Sequence, residues 1–160
     1  ALILSGGFVS RAPMYVMRGA MPIRSLTYYM QQFWLPIGVR IAGHMMIPTV
    51  PFKEAYFFED ALKFREAVKL PLVYVGGLVS REKIDMVLDA GFDGVSMARA
   101  LLNEPDFVNR MEREENARNA CEHANYCIAR MYSREMACHK HIPDLPKKLL
   151  KELELASKKN

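Results

Sequence analysis

Hydrophobic and polar positions along this chain follow two periods in turn. Leu2-Ile3-Leu4 is a short apolar run closed by Ser5-Gly6-Gly7, the pattern of a buried strand opening into a glycine turn. Between residues 57 and 68 the period becomes helical: Phe57, Ala61, Phe64 and Val68 fall on one face, with Glu59, Asp60, Lys63 and Glu66 outside. Pro71 stops that helix. Leu72-Val73-Tyr74-Val75 follows as a continuous apolar strand, the pattern of a parallel sheet buried on both faces, and ends in Gly76-Gly77. Ser80 is a good N-cap for the next helix, with Ile84, Val87 and Leu88 inward and Gly91 as its stop. Residues 93–97 read as strand again. A helical segment with Leu101 and Leu102 comes next, then a helix from Pro105 carrying Phe107, Val108 and Met111.

Strand and helix thus alternate three times, which implies parallel strands joined by crossover helices and an α/β fold. The segment from 8 to 54 is different. Pro13, Pro22, Pro36, Pro48 and Pro51 exclude long uninterrupted helices there. Ser25 to Phe33 can form a helix with Leu26, Tyr29, Met30 and Phe33 on one face, ended by Trp34 and Leu35-Pro36. The proline-rich part of it, 13–51, is long for a βα loop and suits a substrate lid or a subunit contact.

Composition changes this picture little. The chain has 160 residues, 51% hydrophobic and 25% charged, ordinary for a globular domain, and no apolar run approaches membrane-spanning length. Absence of a basic n-region and of a cleavage site argues against a signal peptide. The start in mid-strand without an initiator Met is expected of a piece of a longer protein. Most of the +4 formal charge comes from the lysine-rich tail, Lys147 to Lys159, which reads as a solvated helix or a frayed end. With no interleaved aromatics, it is not expected to bind nucleic acid. Cys121, Cys127 and Cys138 are too few for a disulfide scaffold, so a reducing, cytoplasmic setting is expected.

The candidate chemistry lies where two neighbouring strands end. Gly76-Gly77 carries no side chains to block close approach, so backbone N–H groups there can face an oxyanion. A helix N-terminus behind the loop would add partial positive charge, and Arg99 after the following strand adds a fork of donors matching phosphate. In a (β/α)8 barrel the loops after strands seven and eight commonly hold phosphate.

Three stretches carry a family resemblance: Val75-Gly76-Gly77; Asp89-Ala90-Gly91-Phe92-Asp93-Gly94-Val95; and Met97-Ala98-Arg99-Ala100-Leu101-Leu102-Asn103-Glu104-Pro105-Asp106-Phe107. They resemble the last two strands of the Old Yellow Enzyme-like NADH:flavin oxidoreductases, in the 2,4-dienoyl-CoA reductase-like branch, and Leu2 to Gly7 resembles the sixth strand. The resemblance implies the C-terminal part of a (β/α)8 TIM barrel, about strands 6–8 with their helices, in residues 1–112. A cysteine-containing helical extension and basic tail would then occupy 113–160. It implies FMN as cofactor, NAD(P)H as reductant and an activated alkene or enoyl compound as substrate, with no nucleic acid or membrane partner; homo-oligomerisation stays open.

By the same resemblance, Gly76, Gly77, Ala98 and Arg99 hold the FMN phosphate, while Ser5, Gly6 and Val75 line the flavin. Ala98 stands where many members have Gly, which is tolerable if its φ stays negative. The family's catalytic residues lie on earlier strands, so no catalytic residue is assigned here and the fragment alone is expected to be inactive. Tyr15, Tyr28 and Tyr29 read as rim or core aromatics. Cys121-Glu-His-Ala-Asn-Tyr-Cys127 with Cys138 resembles the iron–sulfur segment of that branch, but a cluster needs four ligands and Ala124 occupies one cysteine position. The cysteines are therefore expected to be free, with no metal assigned; a Cys3His zinc site using His123, His139 or His141 is the alternative, although gaps of five and ten residues do not form the usual paired knuckles. Two rival readings remain: the phosphate-binding part of a non-flavin TIM-barrel enzyme, and a non-catalytic half-barrel that self-associates through open strand edges.

Overall fold

The computed structural model describes residues 1–5, 17–131 and 134–159. They form two compact units, each assembled from separate stretches of chain: Ala1–Gly7 with Lys53–Cys121, and Phe8–Phe52 with Glu122–Asn160.

The first unit is α/β. Its strands are β1 (Leu2–Leu4), β2 (Leu72–Val75) and β3 (Gly94–Ser96), in the order β1-β2-β3. Both pairs are parallel, with Leu4 opposite Tyr74 and Val75 opposite Ser96. The sequence pattern located all three strands because each apolar run ends in turn residues. Their burial differs from expectation. Ile3 is 57% exposed, because β1 lies at the sheet edge with one neighbour. Along β2 only Leu72 and Tyr74 are fully buried, whereas Val73 and Val75 on the opposite face are half-buried. Side chains alternate across a strand, so an all-apolar run gave no clue that its two faces are covered unequally.

α1 (Ile23–Tyr28) and α2 (Leu35–Met46) belong to the second unit, and α3 (Phe58–Ala67) precedes β2. Helix α4 (Arg81–Asp89) joins β2 to β3. It is capped by Ser80, whose Oγ accepts from Lys83 N, and ends at Gly91 with φ +90°. α5 (Arg99–Asn103) and α6 (Phe107–Arg113) follow β3. Tyr74, Val87, Ile84, Phe92 and Phe107 make the apolar core of this unit. Phe64 of α3 and Leu88 of α4, placed inward by periodicity, are 51% and 40% exposed. Short helices bury a narrow stripe, and the flanking positions of the apolar face stay outside it.

The second unit is helical: α1, α2, α7 (Tyr126–Met131), a 3-10 turn at His139–His141 and α8 (Lys147–Ser157). Helix α2 corrects the reading of the proline-rich stretch. Trp34-Leu35-Pro36 opens a twelve-residue helix instead of ending one, since Pro36 sits in the first turn where no intrahelical N–H is needed. Gly43 lets α2 approach α1, because a Cβ there would stand 3.0 Å from Ile23 Cδ1. The lysine-rich tail is likewise not frayed. α8 buries Leu149, Leu153 and Ala156 against Ala20, Ala124, Tyr126 and Leu145. Its Glu152 carboxylate accepts from Arg24 N (2.7 Å), Ser25 N (2.9 Å) and Ser25 Oγ (2.9 Å), supplying the cap that Pro22 cannot give α1. Among the described residues no helix is long and apolar enough to cross a membrane.

Candidate functional site

In a parallel sheet all strands end at one edge, and the loops leaving that edge are where α/β proteins place ligands. Here those loops carry the residues singled out above. Ser5 follows β1; Val75 ends β2, with Gly76 and Gly77 beyond it; Ala98 and Arg99 follow β3, and Arg99 opens α5. Val75 lies opposite Ser96, so the Gly76-Gly77 and Ala98-Arg99 loops leave the sheet side by side. Gly6 falls outside the described residues. Ala98 has φ −106°, compatible with its methyl group, and is exposed; Arg99 is half-buried.

Each glycine of the pair has a conformational reason to be glycine. Gly77 has φ +68°, the left-handed region. At Gly76 a Cβ would stand 2.5 Å from Tyr74 Oη. The Tyr74 hydroxyl donates to Gly76 O (3.1 Å) and accepts from Phe57 N (3.2 Å), so it is held under the loop. Burial pushes this phenol above its ordinary range against the opposing Phe57 amide, so it is a neutral hydrogen-bonding strut.

The helix terminus behind the loop departs from expectation. Glu54 already occupies the start of α4: its Oε1 accepts from Val79 N (2.8 Å), Ser80 N (2.7 Å) and Ser80 Oγ (2.8 Å), while Oε2 pairs with Arg118 at 3.2 Å. These amides are spoken for by a carboxylate of the same chain, which would also repel a second anion. The candidate donors at this edge are therefore the Gly76-Gly77 backbone and the β3 loop. Glu54 carried no local sequence signal, since it caps a helix more than twenty residues further along the chain.

Cys121, Cys127 and Cys138 are half-buried and form no disulfide. Cys121 falls in the first unit and the other two in the second. No group of three or more His, Cys, Asp or Glu side chains able to hold a metal occurs among the described residues. His123 stacks on Phe52 with ring centroids 3.4 Å apart and has φ +55°; Asn125, at φ +56°, donates to Arg18 O (2.7 Å) and Ala20 O (3.1 Å). Tyr29 shares a 2.8 Å hydrogen bond with the Tyr126 hydroxyl, and Tyr28 lies partly exposed.

No family model matches the chain, and no solved structure matches it. It is similar to a 4,4'-dithiodibutanoate disulfide reductase of Rhodococcus erythropolis, 35% identical over 133 residues. That alignment covers 83% of this chain and 33% of the relative, so the chain spans about a third of the length of the curated protein it matches.

Proposed function

We propose that this chain is the C-terminal, phosphate-binding part of an FMN-dependent NAD(P)H oxidoreductase built on a (β/α)8 barrel. The observation that carries the proposal is the register of β2 and β3, which sends Gly76-Gly77 and Ala98-Arg99 off the same sheet edge. A short helix opening directly after the last strand fits the arrangement by which such barrels hold phosphate. The relative's name, a reductase, supports redox chemistry for the protein as a whole.

In this reading the Gly76 and Gly77 amides and the Arg99 guanidinium hold the FMN phosphate, with the Ala98 backbone between them. Ser5 and Val75 lie along the flavin. The donor set fits a phosphate monoester: an uncluttered backbone turn on one side and a bidentate cation on the other. The Glu54 carboxylate limits the fit, keeping the anion at the Gly76 end of the loop and away from the α4 terminus. When bound, the flavin supplies hydride transfer; this chain binds and orients its phosphate end and contributes no catalytic residue. The relative's name favours an organic disulfide, reduced to two thiols, over the activated alkene or enoyl substrate that the family resemblance implies.

The test is FMN affinity of the whole protein. Arg99→Ala should weaken FMN binding by about tenfold or more, as loss of a charge-assisted hydrogen bond does. An unchanged affinity, or a purified protein without flavin absorbance, rejects the assignment and favours a non-flavin phosphate ligand.

A further inference from the structure

The second unit carries a feature that the flavin reading does not use. Two cavities of about 320 and 400 Å³ open beside α1, α2 and α8, and Arg24, His44 and Lys148 line both. Arg40 lines the first, and Lys151 and Lys159 the second. Glu152 supplies the only carboxylate among the lining residues described, and its oxygens are engaged by the α1 amides and Ser25. Arg24, Arg40 and Lys148 form no ion pair among the described residues. The five lysine and arginine side chains against one glutamate leave an excess equal to the net charge of the entire chain. Like charges gathered around a single lining carboxylate that is already engaged cost folding energy, so such a cleft is an electrostatic focus for an anion.

Two of these cations are also held in place. Arg40 Nε donates to Thr27 Oγ1 (2.9 Å), and the buried Thr27 hydroxyl in turn donates to Ile23 O (2.9 Å). This anchor leaves the terminal guanidinium nitrogens of Arg40 for a bidentate partner. Lys148 Nζ sits 5.2 Å from the Tyr28 ring centroid, over an aromatic face. Apolar side chains, Ile23 and Leu149 in one cavity and Leu155 in the other, supply wall for an organic body.

We infer that this cleft binds a phosphorylated small molecule, its phosphate held by Arg24, Arg40 and Lys148. The inference is independent of the FMN proposal, which rests on the other unit.

Calorimetric titration of the full chain with pyrophosphate, at physiological ionic strength, tests it. Saturable binding is expected, weakened about tenfold or more in Arg24→Gln/Lys148→Gln. Both positions are exposed, so the double variant should keep its fold. Arg40→Lys keeps the charge but loses the fork anchored on Thr27, and should also bind more weakly. Lys63→Gln on α3 should bind as the parent does. Absence of saturable binding overturns the inference. So does full affinity in the double variant, or in Arg40→Lys, which would reduce the cleft to diffuse charge. A dicarboxylate such as glutarate binding as tightly as pyrophosphate overturns the phosphate assignment.

Discussion

The Tyr74 hydroxyl lies where a side chain on residue 76 would have to stand: 2.5 Å separates Oη from the place of a Cβ on Gly76. A buried tyrosine of β2 thereby dictates the glycine that opens the loop two residues later. Gly76→Ala should destabilise the protein by about 1–3 kcal/mol, the range for forcing a methyl into a packed site. Urea denaturation reads this directly, and a variant as stable as the parent would show that Tyr74 can move aside.

Glu54 binds the start of α4 through three donors, so its loss should unsettle the loop after β2. Glu54→Ala leaves the Val79 and Ser80 amides without their acceptor, at a cost of about 1–3 kcal/mol. Glu54→Gln keeps one oxygen in place and should cost less. Amide exchange at Val79 and Ser80 is the local readout, and it should speed up in the alanine variant first.

Glu152 ties α8 to the start of α1, as a cap contributed from the far end of the chain. Glu152→Ala should cost about 1–2 kcal/mol, the loss of an N-cap, and should expose the tail to limited proteolysis before the rest of the protein. Lys158→Ala, which removes an exposed pair with Glu154, should leave proteolysis unchanged.

Burial holds His139 below its ordinary value of 6.5; Lys140 and His141 act in the same direction and Glu122 against it. The ring packs edge-on to Tyr126 at 6.2 Å. With the folded value lower than the unfolded one, the unfolded chain takes up more protons as pH falls through 6.5. His139 therefore costs nothing above that pH and costs stability just below it. Unfolding free energies measured at about pH 7.5 and about pH 5.5 should fall less on acidification in His139→Gln than in the parent. An identical fall in both would place the acid sensitivity elsewhere.

The sequence by itself determined the α/β ground plan. Leu2–Leu4, Leu72–Val75 and Gly94–Ser96 are strands because short apolar runs meet turn residues. α3 and α4 are helices because their periodicity and the Ser80 cap are signals carried within a few residues. Tertiary structure decided what those elements cover and what holds their ends. Residues 35–46 form a helix through a proline that reads as a stop only when its place in the first turn is unknown. The tail is a packed helix because Leu149 and Leu153 find a core contributed by residues near 20 and 126. Both helix-end carboxylates, Glu54 and Glu152, act on amides far away along the chain. Local periodicity records contacts within one turn or one pleat. Which carboxylate reaches which helix end, and which apolar face meets water, depends on segments that only folding brings together.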